Sequence, residues 1–124
     1  QWMRENNLPM PSQQGINDAC YNKNLEVLKW LKLNNLGVPD VHGACYASGG
    51  GQVDILQWMK DNDLLTLSYS NGAWAVSNNH LSVLKWLNDN NLLYDLYRLR
   101  DIAYNHQNIP IYNWLNSLIN QPYK

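Results

Sequence analysis

The sequence predicts an all-α fold, an α-solenoid of stacked antiparallel helix pairs, and three observations predict it. Trp2, Trp30, Trp58, Trp86 and Trp114 stand 28 residues apart. Ala19, Ala47, Ala75 and Ala103 keep the same step, each 11 residues ahead of one of the last four tryptophans. The tryptophans lie in blocks such as Leu25-Glu26-Val27-Leu28-Lys29-Trp30-Leu31, with apolar residues at relative positions 1, 3, 4, 6 and 7. That is the stripe of a helix with one polar face. A period of roughly 20–50 residues marks a stacked array, in which neighbours share stability and function lies in positions that vary between units.

The period divides the chain into repeats at 15–42, 43–70 and 71–98, with 1–14 the tail of a preceding repeat. A last repeat, 99–124, is divergent or capping: Asn113, Asn116 and Asn120 enter it, and Ile111-Tyr112 replaces the Val-Leu pair. Each unit opens on a short apolar stretch, read as a short first helix: Ile16 to Tyr21, Ala44 to Ala47, Ala73 to Val76, Ile102 to Tyr104. A small residue at one fixed place implies that a neighbouring helix comes close there. Turn signals follow at Asn22-Lys23-Asn24, Gly49-Gly50-Gly51, Ser77-Asn78-Asn79 and His106-Gln107-Asn108. The Trp-bearing block is the longer second helix. Asn24, Gln52, His80 and Asn108 stand at its entry as capping residues, and Pro110 fits the first turn, where a missing N–H costs nothing. A loop of roughly eight residues, such as Asn35 to His42, leads to the next unit.

Composition narrows the function classes. Net charge is −1 with acids and bases interspersed, which excludes the basic stripe of a general nucleic-acid binder. No stretch reaches the ~20 apolar residues of a membrane span, and no signal or transit peptide is visible. Neither nucleic acid nor membrane is expected as a partner. Cys20 and Cys45 do not make a disulfide framework and read as small apolar residues of a reducing compartment, so an intracellular, cytoplasmic protein is expected. The chain starts inside a unit without an initiator methionine and reads as a segment of a longer array. Its 19 asparagines are a bias without a mechanism at this level.

Motifs of chemistry are few. The regular tryptophans belong to the apolar stripe and therefore to the core, and Trp74 aligns with Tyr46 as a packed residue of the first helix. Asp18 and Ile102 share that slot, where a carboxylate is unusual. His80 reads as a capping or loop hydrogen bonder at the inter-helix turn. His42-x-x-Cys45, with Cys20, has part of a zinc set but lacks a fourth ligand. No Gly-x-Ser-x-Gly, phosphate-loop or His-Glu-x-x-His motif is present. Gly49-Gly50-Gly51 is a turn, and Asp61, Asp63, Asp89, Asp95 and Asp101 scatter over different repeat positions. No catalytic residue, cofactor or metal is expected, and no enzyme.

Ala19-Cys20-Tyr21-Asn22-Lys23-Asn24-Leu25-Glu26-Val27-Leu28-Lys29-Trp30-Leu31 resembles the ankyrin-repeat consensus Ala-Ala-x-x-Gly-His-Leu-Glu-Val-Val-Lys-Leu-Leu. Gly51-Gln52-Val53-Asp54-Ile55-Leu56 and Asn79-His80-Leu81-Ser82-Val83-Leu84 resemble its core, and Ala44-Cys45-Tyr46-Ala47 and Ala73-Trp74-Ala75 its first helix. The likeness recurs along nearly the whole chain. It departs in period, 28 instead of 33, and in lacking the Thr-Pro-Leu-His and Gly-Ala-Asp-Val-Asn segments, so the β-hairpin fingers are expected to be reduced or absent. Short Leu-Lys-Trp-Leu repeats of this kind are similar to those of amoebae, other protists and giant viruses. The resemblance implies a module that binds another protein through a concave face of first helices and loops. In the family the slots just after the paired alanines face partners. Here they hold Tyr21, Gly49, Ser77 and Asn105, then Asn22, Gly50, Asn78 and His106. The connecting loops add Pro39, Asp40, His42, Tyr69, Ser70, Asn71, Tyr97 and Arg98. Tyr21, Tyr69, Tyr97 and Arg98 are the expected anchors, because Tyr and Arg carry much of the energy of interfaces. Alternatives are a structural spacer within a larger protein, or the substrate-recruiting arm of an enzyme such as a ubiquitin-ligase adaptor.

Overall fold

The computed structural model describes residues 12–66 and 69–121. Trp2 and most of the preceding tail, residues 1–11, lie outside the described residues. Eight helices follow one another, and no strand occurs among the described residues. The first helices of the units are α1 (Gln13–Tyr21), α3 (Val41–Gly49), α5 (Tyr69–Ser77) and α7 (Leu96–Asn105). The second are α2 (Leu25–Leu33), α4 (Val53–Asp61), α6 (Leu81–Asp89) and α8 (Ile109–Ile119). No helix among the described residues is long and apolar enough to cross a membrane.

In the first three pairs the first helix is not the shorter one, which corrects the expectation from sequence, while in the fourth it is, with 10 residues against 11. Both helices of the first three pairs have 9 residues. The first helices begin earlier than their apolar stretches, α1 with the polar or small Gln13-Gln14-Gly15 and α7 with Leu96-Tyr97-Arg98-Leu99. Ser12 caps α1 by accepting from the Gly15 N–H at 3.0 Å, and Asp40 caps α3 by accepting from the His42 N–H at 2.9 Å. These caps satisfy N–H groups that a helix start leaves without partners.

Helices α1 to α7 all end alike. The second residue past each C-cap donates its N–H to a carbonyl five residues back: Asn24 to Ala19 at 3.1 Å, Gln52 to Ala47 at 2.9 Å, His80 to Ala75 at 2.8 Å, Asn108 to Ala103 at 2.8 Å. Second helices repeat it, with Leu36 to Leu31 at 2.9 Å, Leu64 to Met59 at 2.8 Å and Leu92 to Leu87 at 2.7 Å. This closure requires a left-handed residue just past the C-cap, and Lys23, Asn35, Gly51, Asp63, Asn79, Asn91 and Gln107 have positive φ. The residue before often adds a side-chain cap. The Asn34, Asn62 and Asn90 amides donate to the Trp30, Trp58 and Trp86 carbonyls at 2.9, 2.8 and 2.8 Å, and Asn22 and Asn78 do the same for Asp18 and Trp74. The asparagine bias thus has a structural use at five of these seven helix ends.

Packing runs along the row of first helices. Each first helix touches the next, α1 on α3, α3 on α5 and α5 on α7, and each touches the second helix of its own pair. Second helices meet one another far less; α4 and α6 do so, where Trp86 Nε1 donates to Gln57 Oε1 at 2.9 Å. The core holds the four alanines together with Leu28, Leu31, Ile55, Leu56, Met59, Val83, Leu84, Leu87, Ile111 and Leu115. Trp86 is buried, while Trp30, Trp58 and Trp114 are half-buried against the core. Ala and Gly on first helices allow the close approach that the heavier second-helix side chains prevent.

Candidate functional site

One face of the first helices stays outside this packing. Successive residues three and four apart share a helix face, so Gln14, Asp18, Tyr21 and Asn22 align on α1, and His42, Tyr46, Gly49 and Gly50 on α3. Trp74, Ser77 and Asn78 align on α5, and Arg98, Ile102, Asn105 and His106 on α7. Gln14, Asp18, Tyr21, Asn22, His42, Trp74, Ser77, Asn78, Arg98, Asn105 and His106 are exposed. The four stripes lie side by side because the four helices do.

Trp74 is 41 % exposed, which corrects its assignment as a packed residue. Its ring tilts against Tyr46 at 49° with centroids 6.0 Å apart. The indole also lies across Gly49, where a Cβ would stand 2.7 Å from Trp74 Cε3. Any side chain at 49 would lift the ring. An open groove of ≈ 370 Å³ runs beside it, lined by Ala73, Trp74, Ser77 and Asn78. On the α1 side, Gln14 Nε2 donates to Asp18 Oδ1 at 2.8 Å and to the Tyr46 hydroxyl at 3.5 Å. The odd carboxylate is therefore a hydrogen-bonded member of the exposed face.

The expected site residues divide. Tyr21, Asn22, Asn78, Asn105 and His106 lie on the face or in the turn that ends it, although the Asn22 and Asn78 amides also cap their helices. His42, Tyr97 and Arg98 are exposed but stand on the opening turns of α3 and α7, not in loops. Tyr69 and Ser70 likewise begin α5, and their side chains lie outside the described residues. Three residues are drawn into the packing. Pro39 is buried. Asp40, half-buried, accepts from Asn17 Nδ2 at 2.9 Å while its N–H donates to Asn17 Oδ1 at 3.2 Å. Asn71 is 1 % exposed and donates from Nδ2 to Ser48 Oγ at 3.1 Å. All three occupy the segment where a first helix begins and leans on its predecessor. Asn71 has no surface to offer a partner.

The entry residues of the second helices are also reassigned. None of Asn24, Gln52, His80 and Asn108 makes a side-chain cap. Gln52 Nε2 donates instead to the Tyr21 carbonyl at 3.1 Å, and Asn108 Nδ2 to the Val76 carbonyl at 3.4 Å, each in the preceding pair. The His80 ring lies over Gly51, its Nδ1 2.7 Å from where a Cβ would be. This slot joins neighbouring pairs.

Trp74 was missed as a surface residue, with the half-buried Tyr46 beside it, yet a signal existed. Asp18, Tyr46, Trp74 and Ile102 vary as much at one register as Tyr21, Gly49, Ser77 and Asn105 do, and stand three residues from them. Among the described residues, no three His, Cys, Asp or Glu side chains gather as a metal-ligand set. Both cysteines are buried and free of disulfides. Burial, and secondarily the Asp40 carboxylate, push the Cys20 thiol up to about 12, so it stays protonated and unreactive at neutral pH. No family model, curated protein or solved structure matches the chain.

Proposed function

We propose that the chain is an ankyrin-type α-solenoid that binds another protein through the exposed face of its first helices. The observation that carries this reading is the exposed Trp74 ring, laid over Gly49 and against the half-buried Tyr46. An exposed tryptophan is costly to leave in water, and aromatic side chains dominate the energetics of interfaces. The pair lies among residues that differ from unit to unit on a frame that does not, the division expected of a recognition array. Closer packing among first helices than among second helices favours a curve with the first helices on the concave side. On that surface Tyr21, Tyr46 and Trp74 are the anchors, and Ser77, Asn105, His42, Arg98 and His106 are the polar contacts around them.

Site-specific photo-crosslinking tests the assignment. A crosslinker at position 74 should capture a discrete protein from lysate of the source cell, and one at Lys85, on the outer side of α6, should not. Capture from position 85 alone, or the same products from both positions, would overturn it.

A further inference from the structure

Of the 19 asparagines in the chain, Asn71 alone precedes a glycine. With no Cβ on Gly72, nothing screens its backbone nitrogen from the Asn71 side chain, and the backbone there is free to turn once unfolded. This is therefore the dipeptide of the chain most prone to lose its side-chain amide. It is also well shielded. Asn71 is 1 % exposed, and Gly72 is buried. Asn71 Nδ2 donates to Ser48 Oγ at 3.1 Å, and its Oδ1 accepts from Cys45 Sγ at 3.9 Å. Each neighbour of α5 calls for one of the two residues. The amide fills the joint with α3, while a Cβ at position 72 would stand 3.2 Å from Leu99 Cδ1 and Cδ2 of α7. Packing on two sides of α5 thus sets a chemically weak dipeptide inside the array.

We propose that Asn71-Gly72 is a site of spontaneous deamidation, closed while α5 lies on α3 and irreversible once the two part. In the opened chain the Gly72 backbone nitrogen gives its proton to water and bonds to Asn71 Cγ. The Cγ–Nδ2 bond breaks, and Nδ2 leaves as ammonia with a proton taken from water. Water then opens the cyclic imide, leaving aspartate or isoaspartate at position 71. In the folded chain the first step is stopped three times over. Helical ψ turns the Gly72 nitrogen away from Cγ, burial keeps water out, and the two hydrogen bonds fix the amide. After conversion the joint no longer closes. Ser48 Oγ already donates to the Ala44 carbonyl at 2.9 Å, so it turns a lone pair, not a proton, toward position 71. A carboxylate there is buried without its donor. The first turn of a helix favours negative charge, but by less than an unpaired charge loses on burial. Isoaspartate lengthens the main chain within α5 and breaks its hydrogen-bond ladder. Trp74 moves off with α5, since the same joint lays its ring over Gly49 and against Tyr46.

Mass spectrometry of the chain held at mildly alkaline pH, in buffer and in guanidinium chloride, tests this by following conversion of the Asn71 amide to acid. Unfolded, Asn71 is expected to convert ahead of every other asparagine. Folded, it should convert at least about 100-fold more slowly, because the opening that exposes it is rare. Ser48→Ala takes away the amide's acceptor and should speed conversion in the folded chain at least about fivefold. Denaturant below the unfolding midpoint should speed it in the wild type, which keeps the test if that variant does not fold. Chains converted while unfolded are then separated by their added negative charge and returned to buffer. They should melt below unconverted chains treated alike and exchange amide protons faster along α3 and α5. Conversion as fast in the folded chain as in the unfolded one would overturn the proposal. So would an unchanged rate in folded Ser48→Ala, or converted chains that melt and exchange as unconverted ones do.

Discussion

Helix ends carry the plainest residue-level argument. A non-glycine residue in the left-handed region costs roughly 1–2 kcal/mol, and only Gly51 among the seven helix-closing residues is glycine. Gln107→Gly is therefore expected to raise stability by about 1 kcal/mol, the gain being trimmed by glycine's extra freedom in the unfolded chain; a urea midpoint checks it. Gly51→Ala should do the opposite, from φ and from the His80 ring. Cys20 gives a pH prediction. Its pKa is raised from the ordinary 9.0 to about 12 in the folded protein, so above pH 9 the unfolded chain holds fewer protons than the folded one. Stability then falls as pH rises between 9 and 12, by up to about 1.4 kcal/mol per pH unit. Cys20→Ala should flatten that limb in denaturation curves recorded across the alkaline range. The left-handed slots were partly legible: Asn34-Asn35, Asn62-Asp63, Asn78-Asn79 and Asn90-Asn91 recur just after apolar blocks. Composition counts asparagines without placing them, whereas their register against the helices shows their use.

At the scale of elements, the sequence specified which segments are helical but not where the first helices begin. Apolar periodicity marks the buried stripe, and Val41 to Gly43 or Tyr69 to Asn71 extend α3 and α5 beyond it. That turn of helix decided the fate of several candidate residues, placing His42 on the exposed face and Asn71 in the interface. The interfaces between first helices are not interchangeable. Cys20 faces Gly43 between α1 and α3, Ser48 bonds Asn71 between α3 and α5, and Leu99 packs on Gly72 between α5 and α7. Ser48→Ala removes this acceptor from a buried amide and should cost about 1–3 kcal/mol. Adding Asn71→Leu should recover most of that loss, since Leu99 occupies the same slot one pair on. A double-mutant cycle in urea reads the coupling.

For the whole molecule, the repeat and the all-helical architecture were legible from the tryptophan and alanine registers, because a fixed period forces each pair into the same surroundings. The exposed face was only half legible. Slots after the alanines were found by their variability, but the Tyr46–Trp74 pair was hidden by the expectation that aromatic residues in an apolar stretch are packed. Exposure depends on how closely neighbouring helices approach, which a single unit's sequence does not encode. This face, and not the outer side of the second helices, is proposed to recognise a partner. The most direct measurement compares the partner captured at position 74 for affinity toward two folded triple variants with unchanged melting curves. One carries Tyr21→Ala, Tyr46→Ala and Trp74→Ala, the other Lys29→Ala, Lys60→Ala and Lys85→Ala. The first variant is expected to lose affinity by at least about 30-fold, since truncation of hot-spot aromatics costs roughly 2 kcal/mol or more in total, and the second to bind as the wild type does. Undiminished binding by the first variant, or a loss confined to the second, would contradict it.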